Sequence, residues 1–120
     1  MTAFDRYYKR EKLISKKLDI EEELYNELER LSKDIYDASI NKLVNSAIEE
    51  LILTEKIELY NMKNKNYVSR SFLIRQSFSD GLYELKQKYK ISVNLLVNIA
   101  IKNVITNVEK ENKNKIPTVK

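Results

Sequence analysis

The chain contains one stretch twice. Ser-Ile-Asn-Lys-Leu-Val-Asn-Ser-Ala-Ile-Glu-Glu-Leu-Ile, from Ser39 to Ile52, returns 53 residues later as Ser-Val-Asn-Leu-Leu-Val-Asn-Ile-Ala-Ile-Lys-Asn-Val-Ile, from Ser92 to Ile105, and eight of the fourteen aligned pairs are identical. A unit of about fifty residues buries too little apolar surface to stand comfortably alone. Two such units in a chain of 120 residues are therefore expected to complete one another around a shared core.

Each unit reads as strand, helix, helix. From Glu11 to Ile20, Leu13, Ser15, Lys17 and Asp19 alternate with Ile14, Lys16, Leu18 and Ile20, which predicts a strand with Ile14, Leu18 and Ile20 inward. Lys16 interrupts the inward set and fits only where its stem covers apolar surface and its ammonium reaches water. Glu21, Glu22 and Glu23 stand where a helix N-terminus favours negative charge. Leu24, Leu28, Leu31 and Ile35 then form one helical stripe, running to about Tyr36. After the break at Asp37-Ala38, Ser39 is placed to cap a second helix with Leu43, Val44, Ala47, Ile48 and Leu51 on its apolar face, running through Ile57 or beyond.

Asn-Met-Lys-Asn-Lys-Asn, residues 61–66, is polar and aperiodic and reads as a linker. Beyond it, Tyr67 to Ile74 alternates like the first strand, with Val68, Phe72 and Ile74 inward, Tyr67, Ser69, Ser71 and Leu73 outward, and Arg70 in the place of Lys16. Phe78, Leu82, Leu85 and Tyr89 repeat the first stripe at an offset of 54, so the first inter-helix turn holds one extra residue. Gly81 falls inside this helix and weakens it by about 1 kcal/mol relative to alanine. A helix capped by Ser79, with the strand extended to Phe78, is the alternative; the earlier start preserves the repeat. The last helix is expected from about Val93 to Glu109. The division is thus a basic N-terminal arm at 1–10, a first repeat at 11–60, a linker at 61–66, a second repeat at 67–109 and a basic, mobile tail at 110–120.

Composition narrows the chemistry. One glycine and one proline leave few turn signals, which favours a helix-rich fold over a many-stranded sheet. Without cysteine there are no disulfides or thiolate metal sites, which agrees with a reducing compartment, and without histidine the usual general base and commonest metal ligand is missing. The acids at 21–23 and 27–29 read as a solvated helix face, with no glycine-rich loop or metal spacing beside them, so no catalysis and no cofactor are expected. Met1 to Arg10 has no apolar core of signal-peptide length and no segment approaches the apolar run that spans a bilayer, so a soluble cytoplasmic protein without a membrane partner is expected.

The net charge of +4 is unevenly spread. Arg6, Lys9, Arg10, Lys12, Lys16 and Lys17 face only Asp5 and Glu11, while residues 21–37 hold seven acids against Arg30 and Lys33. Separated signs suit a surface turned toward a polyanion; a general abundance of lysine and asparagine is the plainer explanation.

A lone strand leaves its backbone groups unpaired, and two copies solve this if their strands pair antiparallel with the four helices on one face. The predicted fold class is mainly α with a two-stranded antiparallel ribbon. Here the chain resembles the ribbon-helix-helix superfamily of DNA-binding proteins, the Arc and MetJ type. Lys17-Leu18-Asp19-Ile20-Glu21-Glu22-Glu23-Leu24 looks like that family's passage from strand to helix, and Ser39 to Ile52 looks like its second helix. The second copy matches at Ser71 to Ile74 and Ser92 to Ile105, so the resemblance spans roughly residues 12–107. Members normally pair as homodimers; this chain carries both halves, which implies a tandem, single-chain pseudo-dimer.

The resemblance implies that the ribbon enters the major groove of double-stranded DNA. The base readers would then be Ser15, Lys17 and Asp19 from one strand and Ser69, Ser71 and Leu73 from the other. Lysine can donate to guanine, serine can donate or accept, leucine can pack on a thymine methyl, and Asp19 can accept from cytosine or pair instead with Lys17 or Arg75. The family also anchors phosphates at the start of its second helix, which implies Ser39, Asn41 and Lys42 in one half and Ser92 and Asn94 in the other; ordinary helix capping is the alternative use. Lys42 aligns with Leu95, so the halves are expected to grip unequally and to select an asymmetric or imperfectly palindromic site.

Transcriptional repression is the first functional reading. A plasmid or mobile-element accessory role in conjugative relaxation, partition or copy control is the second, and a helical interaction module such as an antitoxin the third. Self-association on adjacent sites is a further implication of the family. Tyr25, Tyr36, Tyr83 and Tyr89 are expected to pack on helices, while Tyr7 and Tyr8 belong either to an arm on flanking DNA or to a disordered tail.

Overall fold

Two stretches of period-two alternation become the two strands of one ribbon. A computed structural model describes residues 12–35, 39–60 and 65–115. The order is β1 (Leu13–Glu21), α1 (Glu22–Asp34), α2 (Ile40–Thr54), β2 (Tyr67–Arg75), α3 (Gln76–Tyr89) and α4 (Val93–Lys115). The molecule is mostly helical, with β1 and β2 paired antiparallel as its two-stranded sheet. The N-terminal arm at 1–10 with Tyr7 and Tyr8, Tyr36 and the turn after it, linker residues 61–64 and tail residues 116–120 lie outside the described residues.

The register places Lys17 opposite Ser71 at the middle of the ribbon, with Leu13 opposite Arg75 at one end and Glu21 opposite Tyr67 at the other. Alternation then does what the sequence predicts: Leu18, Ile20, Phe72 and Ile74 are buried, Ile14 and Val68 half-buried, and the intervening residues exposed up to Asp19 and from Tyr67 on. Each strand passes directly into its helix. Glu22 N donates to Asn66 O at 2.8 Å and Gln76 N to Lys12 O at 2.9 Å, so each first helix has a leading N–H satisfied by the residue just ahead of the other strand.

Leu24, Leu28 and Leu31 of α1 and Leu82 and Leu85 of α3 enter the core as predicted. The last member of each stripe does not. Helix α1 ends at Asp34, leaving Ile35 as a 45% exposed cap, and Tyr89 closes α3 at 38% exposure. Helix α3 starts at Gln76, the earlier of the two predicted starts. Gly81 has a packing reason: a Cβ there would lie 2.6 Å from Ile52 Cδ1 of α2.

Ser39 caps α2, and the helix stops at Thr54, short of Ile57, because Glu55 turns left-handed at φ 50°. The final helix outlasts the prediction. It runs through Lys115 instead of ending near Glu109, so the backbone of residues 110–115 is helical. No glycine or proline interrupts the chain between Gly81 and Pro117, and nothing after Glu109 breaks the helix before then. Its first half, Leu96 to Ile101, is buried on every side and packs across α2, making these two helices the centre of the core. Among the described residues no single helix is long and apolar enough to cross a membrane.

Candidate nucleic-acid interface

The outward face of the ribbon is a row of cross-strand pairs. Leu13 faces Arg75, Ser15 faces Leu73, Lys17 faces Ser71 and Asp19 faces Ser69. All six residues predicted as base readers stand on this face and all are exposed, Leu73 at 45%. Together they present one ammonium, one carboxylate, three hydroxyls and one apolar tip, a mixed donor and acceptor surface suited to base edges. Asp19 has a partner other than the two expected: Ser69 Oγ donates to its Oδ1. Among the described residues Asp19 forms no ion pair with Lys17 or Arg75.

Two outer edges remain where a two-stranded sheet would leave backbone unpaired, and asparagines close them. Asn41 Oδ1 accepts from Leu73 N at 3.3 Å, and Asn45 Oδ1 accepts from Arg75 N at 3.1 Å while its amide donates to Leu73 O at 2.8 Å. The same set recurs on the other edge. Asn94 Oδ1 accepts from Asp19 N at 3.2 Å, Asn98 Oδ1 accepts from Glu21 N at 2.8 Å, and Asn98 Nδ2 donates to Asp19 O at 2.9 Å. Each second helix therefore clamps the strand of the other half. Asn41 and Asn94, predicted as phosphate ligands, use their carbonyl oxygens in these clamps.

The clamps also fix where the helix starts lie. The first turns of α2 and α4 flank the exposed face, one on each edge. Ser39 Oγ accepts from Lys42 N and Ser92 Oγ accepts from Leu95 N, each at 3.2 Å, so both serines cap their helices. Lys42 is exposed in the first turn of α2, in a groove it shares with Glu49, Leu73 and Arg75.

Cations at the ribbon lie over aromatic rings. Lys16 Nζ is 4.9 Å from the centre of Tyr83, Arg70 is 5.2 Å from Tyr25 and Arg75 is 5.7 Å from Phe78. Lys16 and Arg70 thus solve the problem of a charge on the inward side of a strand: each leans out over the first helix of the other half. Tyr25 packs half-buried, whereas Tyr83 stands 49% exposed.

Glu21 is not on a solvated helix face as predicted. It ends β1 at 4% exposure, where its carboxylate accepts from Tyr60 Oη at 3.1 Å and lies 3.5 Å from Lys65. Burial, with the Glu21 carboxylate alongside, pushes the Tyr60 hydroxyl far above the ordinary tyrosine range, so it stays a donor. At the end of α2, Glu55 accepts from Lys88 at 2.7 Å and from Tyr89 Oη at 2.6 Å, and these bonds hold its carboxyl below the usual range. Among the described residues no group of three or more metal-ligating side chains is placed to hold an ion.

Sequence reasoning missed Asn45 and Asn98, although the signal was present. Asparagines recur at a spacing of four in both repeats, Asn41 with Asn45 and Asn94 with Asn98, inside otherwise apolar helix faces. A repeated polar residue at a core position marks a backbone it must satisfy. Lys86 of α3, whose Nζ lies 5.7 Å from the centre of the same Tyr83 ring as Lys16, was not singled out either, since nothing local ties it to a strand residue 70 positions earlier. Compared with protein-family models, curated proteins and solved structures, the chain shows no significant match to any of them.

Proposed function

We propose that this chain is a sequence-specific double-stranded DNA-binding protein of ribbon-helix-helix type, a tandem pseudo-dimer that lays its ribbon in the major groove and acts as a transcriptional repressor. The observation that carries the reading is the exposed ribbon face, where Ser15, Lys17, Asp19, Ser69, Ser71 and Leu73 form three adjacent cross-strand pairs with the first turns of α2 and α4 on either side. A two-stranded ribbon fits the major groove, and base edges there offer the donors, acceptors and methyl groups that such pairs can match. Helix N-termini beside the ribbon favour the flanking phosphates. The centre is unlike on its two strands, Lys17 against Ser71, and so are the neighbouring positions Asp19 and Leu73, which the repeat aligns. Unequal strands select an asymmetric or imperfectly palindromic site.

The test is duplex binding at fixed salt with a site selected from random sequences. Lys17→Ala and Ser71→Ala, both at exposed positions, should each weaken the selected site by roughly 5- to 100-fold, the range expected for one lost base contact. Ser71→Ala should leave binding to random duplex unchanged, since it removes no charge. If both variants bind the selected site as the parent does, the ribbon is not the reader.

A further inference from the structure

The two shoulders of the ribbon differ electrically. On one, Lys16 and Lys17 from β1 and Lys86 from α3 meet around a groove of about 360 Å³ that Ser92 and Asn94 border at the start of α4. Two of these lysines lie over the Tyr83 ring, which also lines the groove, with Lys16 Nζ 4.9 Å and Lys86 Nζ 5.7 Å from its centre. Among the described residues no carboxylate forms an ion pair with Lys16, Lys17 or Lys86. The opposite shoulder mixes the two signs. Lys42 and Arg75 share their groove with Glu49, and the repeat offset of 54 puts Glu29 where Tyr83 stands and Ser32 where Lys86 stands. Arg70, the counterpart of Lys16, lies over Tyr25 and donates to Ser69 O at 2.9 Å. Three convergent cations without an ion-paired carboxylate repel one another, and a run of phosphates relieves that repulsion while releasing its own counterions.

We infer that Lys16 and Lys86 act as one phosphate clamp beside the base-reading Lys17, so that the chain sits on its duplex in a single orientation with most of its ionic contacts on the α4 side. This reverses the bias that Lys42 against Leu95 suggests from sequence, and it rests on the DNA-binding reading above. The decisive residue is Lys86, which belongs to neither the ribbon nor the second-helix starts.

Binding of the whole chain to a random-sequence duplex, measured over a range of salt, tests the clamp. Lys16→Ala and Lys86→Ala should each lower the slope of log affinity against log salt by about one, and Lys42→Ala by less. Lys86→Arg should restore the parent slope, which separates lost charge from lost structure. On a selected duplex, phosphate-ethylation interference should disappear from one flank of the site in Lys86→Ala and from the opposite flank in Lys42→Ala. Unchanged slopes for Lys16→Ala and Lys86→Ala, with the parent still binding in a salt-dependent way, overturn the clamp and leave DNA binding standing. Loss on both flanks in Lys86→Ala overturns the single orientation. A parent that binds neither duplex overturns the DNA reading and the clamp with it.

Discussion

Asparagine is a poor helix former and a costly residue to bury, yet Asn98 is 1% exposed in the second turn of α4. Its use is to replace the strand that a two-stranded sheet lacks: one amide offers an acceptor to Glu21 N and donors to Asp19 O and Asn94 O. Asn45 makes the equivalent contacts in a half-buried setting, where water can take over part of the work. Replacing Asn98 by alanine strands a buried N–H and a carbonyl, and should cost about 2–3 kcal/mol after the small gain in helix propensity. Asn45→Ala should cost about 1 kcal/mol, because its partners can be rehydrated. Urea unfolding of both variants, followed by circular dichroism, measures the difference. Equal losses would mean that the edge contacts add little beyond helix packing.

At the scale of elements, α2 and α3 meet so closely at position 81 that a Cβ there would have to displace the Ile52 side chain. A helix interior prefers alanine by about 1 kcal/mol, but the added Cβ would meet Ile52 Cδ1, and Ile52 is only half-buried and free to give way at its tip. Gly81→Ala alone should therefore gain little or nothing. Combined with Ile52→Val, which deletes the clashing atom, it should recover most of that helix gain, and a double-mutant cycle in thermal or urea unfolding should return a favourable coupling of about 1 kcal/mol. The strands and the helix starts were legible in the sequence because Leu18, Ile20, Phe72 and Ile74 keep a period of two and Ser39 and Ser92 stand directly before apolar stripes. The ends of elements were not. Ile35 and Tyr89 continue a stripe that the structure abandons to solvent, and Glu21 looks like one of three helix-end acids until Tyr60 folds back over it. For the interface, the outward residues followed from alternation alone, whereas the Asn98 clamp, the Asp19–Ser69 pair and the Lys16–Tyr83–Lys86 cluster join residues that only the chain's return brings together.

Taken whole, the chain runs strand, helix, helix twice, and the two segments need each other unequally. Each contributes one strand, and a half on its own would leave that strand without its partner and expose Leu18 and Ile20 or Phe72 and Ile74. A separated half could recover only by pairing with its own copy, and the middle of the ribbon decides how well. Self-pairing of the first half about the same central point sets Lys17 against Lys17, whereas the second half sets Ser71 against Ser71. Like charges directly opposite cost up to about 1 kcal/mol, or roughly fivefold in a dissociation constant, and salt screens part of that cost. The fragment of residues 65–120 should therefore self-associate several-fold more tightly at low salt than that of residues 1–60, with the gap narrowing as salt rises. An equimolar mixture should prefer the unlike pair, since only that pair restores Lys17 opposite Ser71 and Asp19 opposite Ser69. Sedimentation equilibrium on each fragment and on the mixture checks all three statements. Lys17→Ser in the first fragment should raise its self-association toward that of the second; if it does not, the preference for unlike pairing comes from the helices and not from the ribbon.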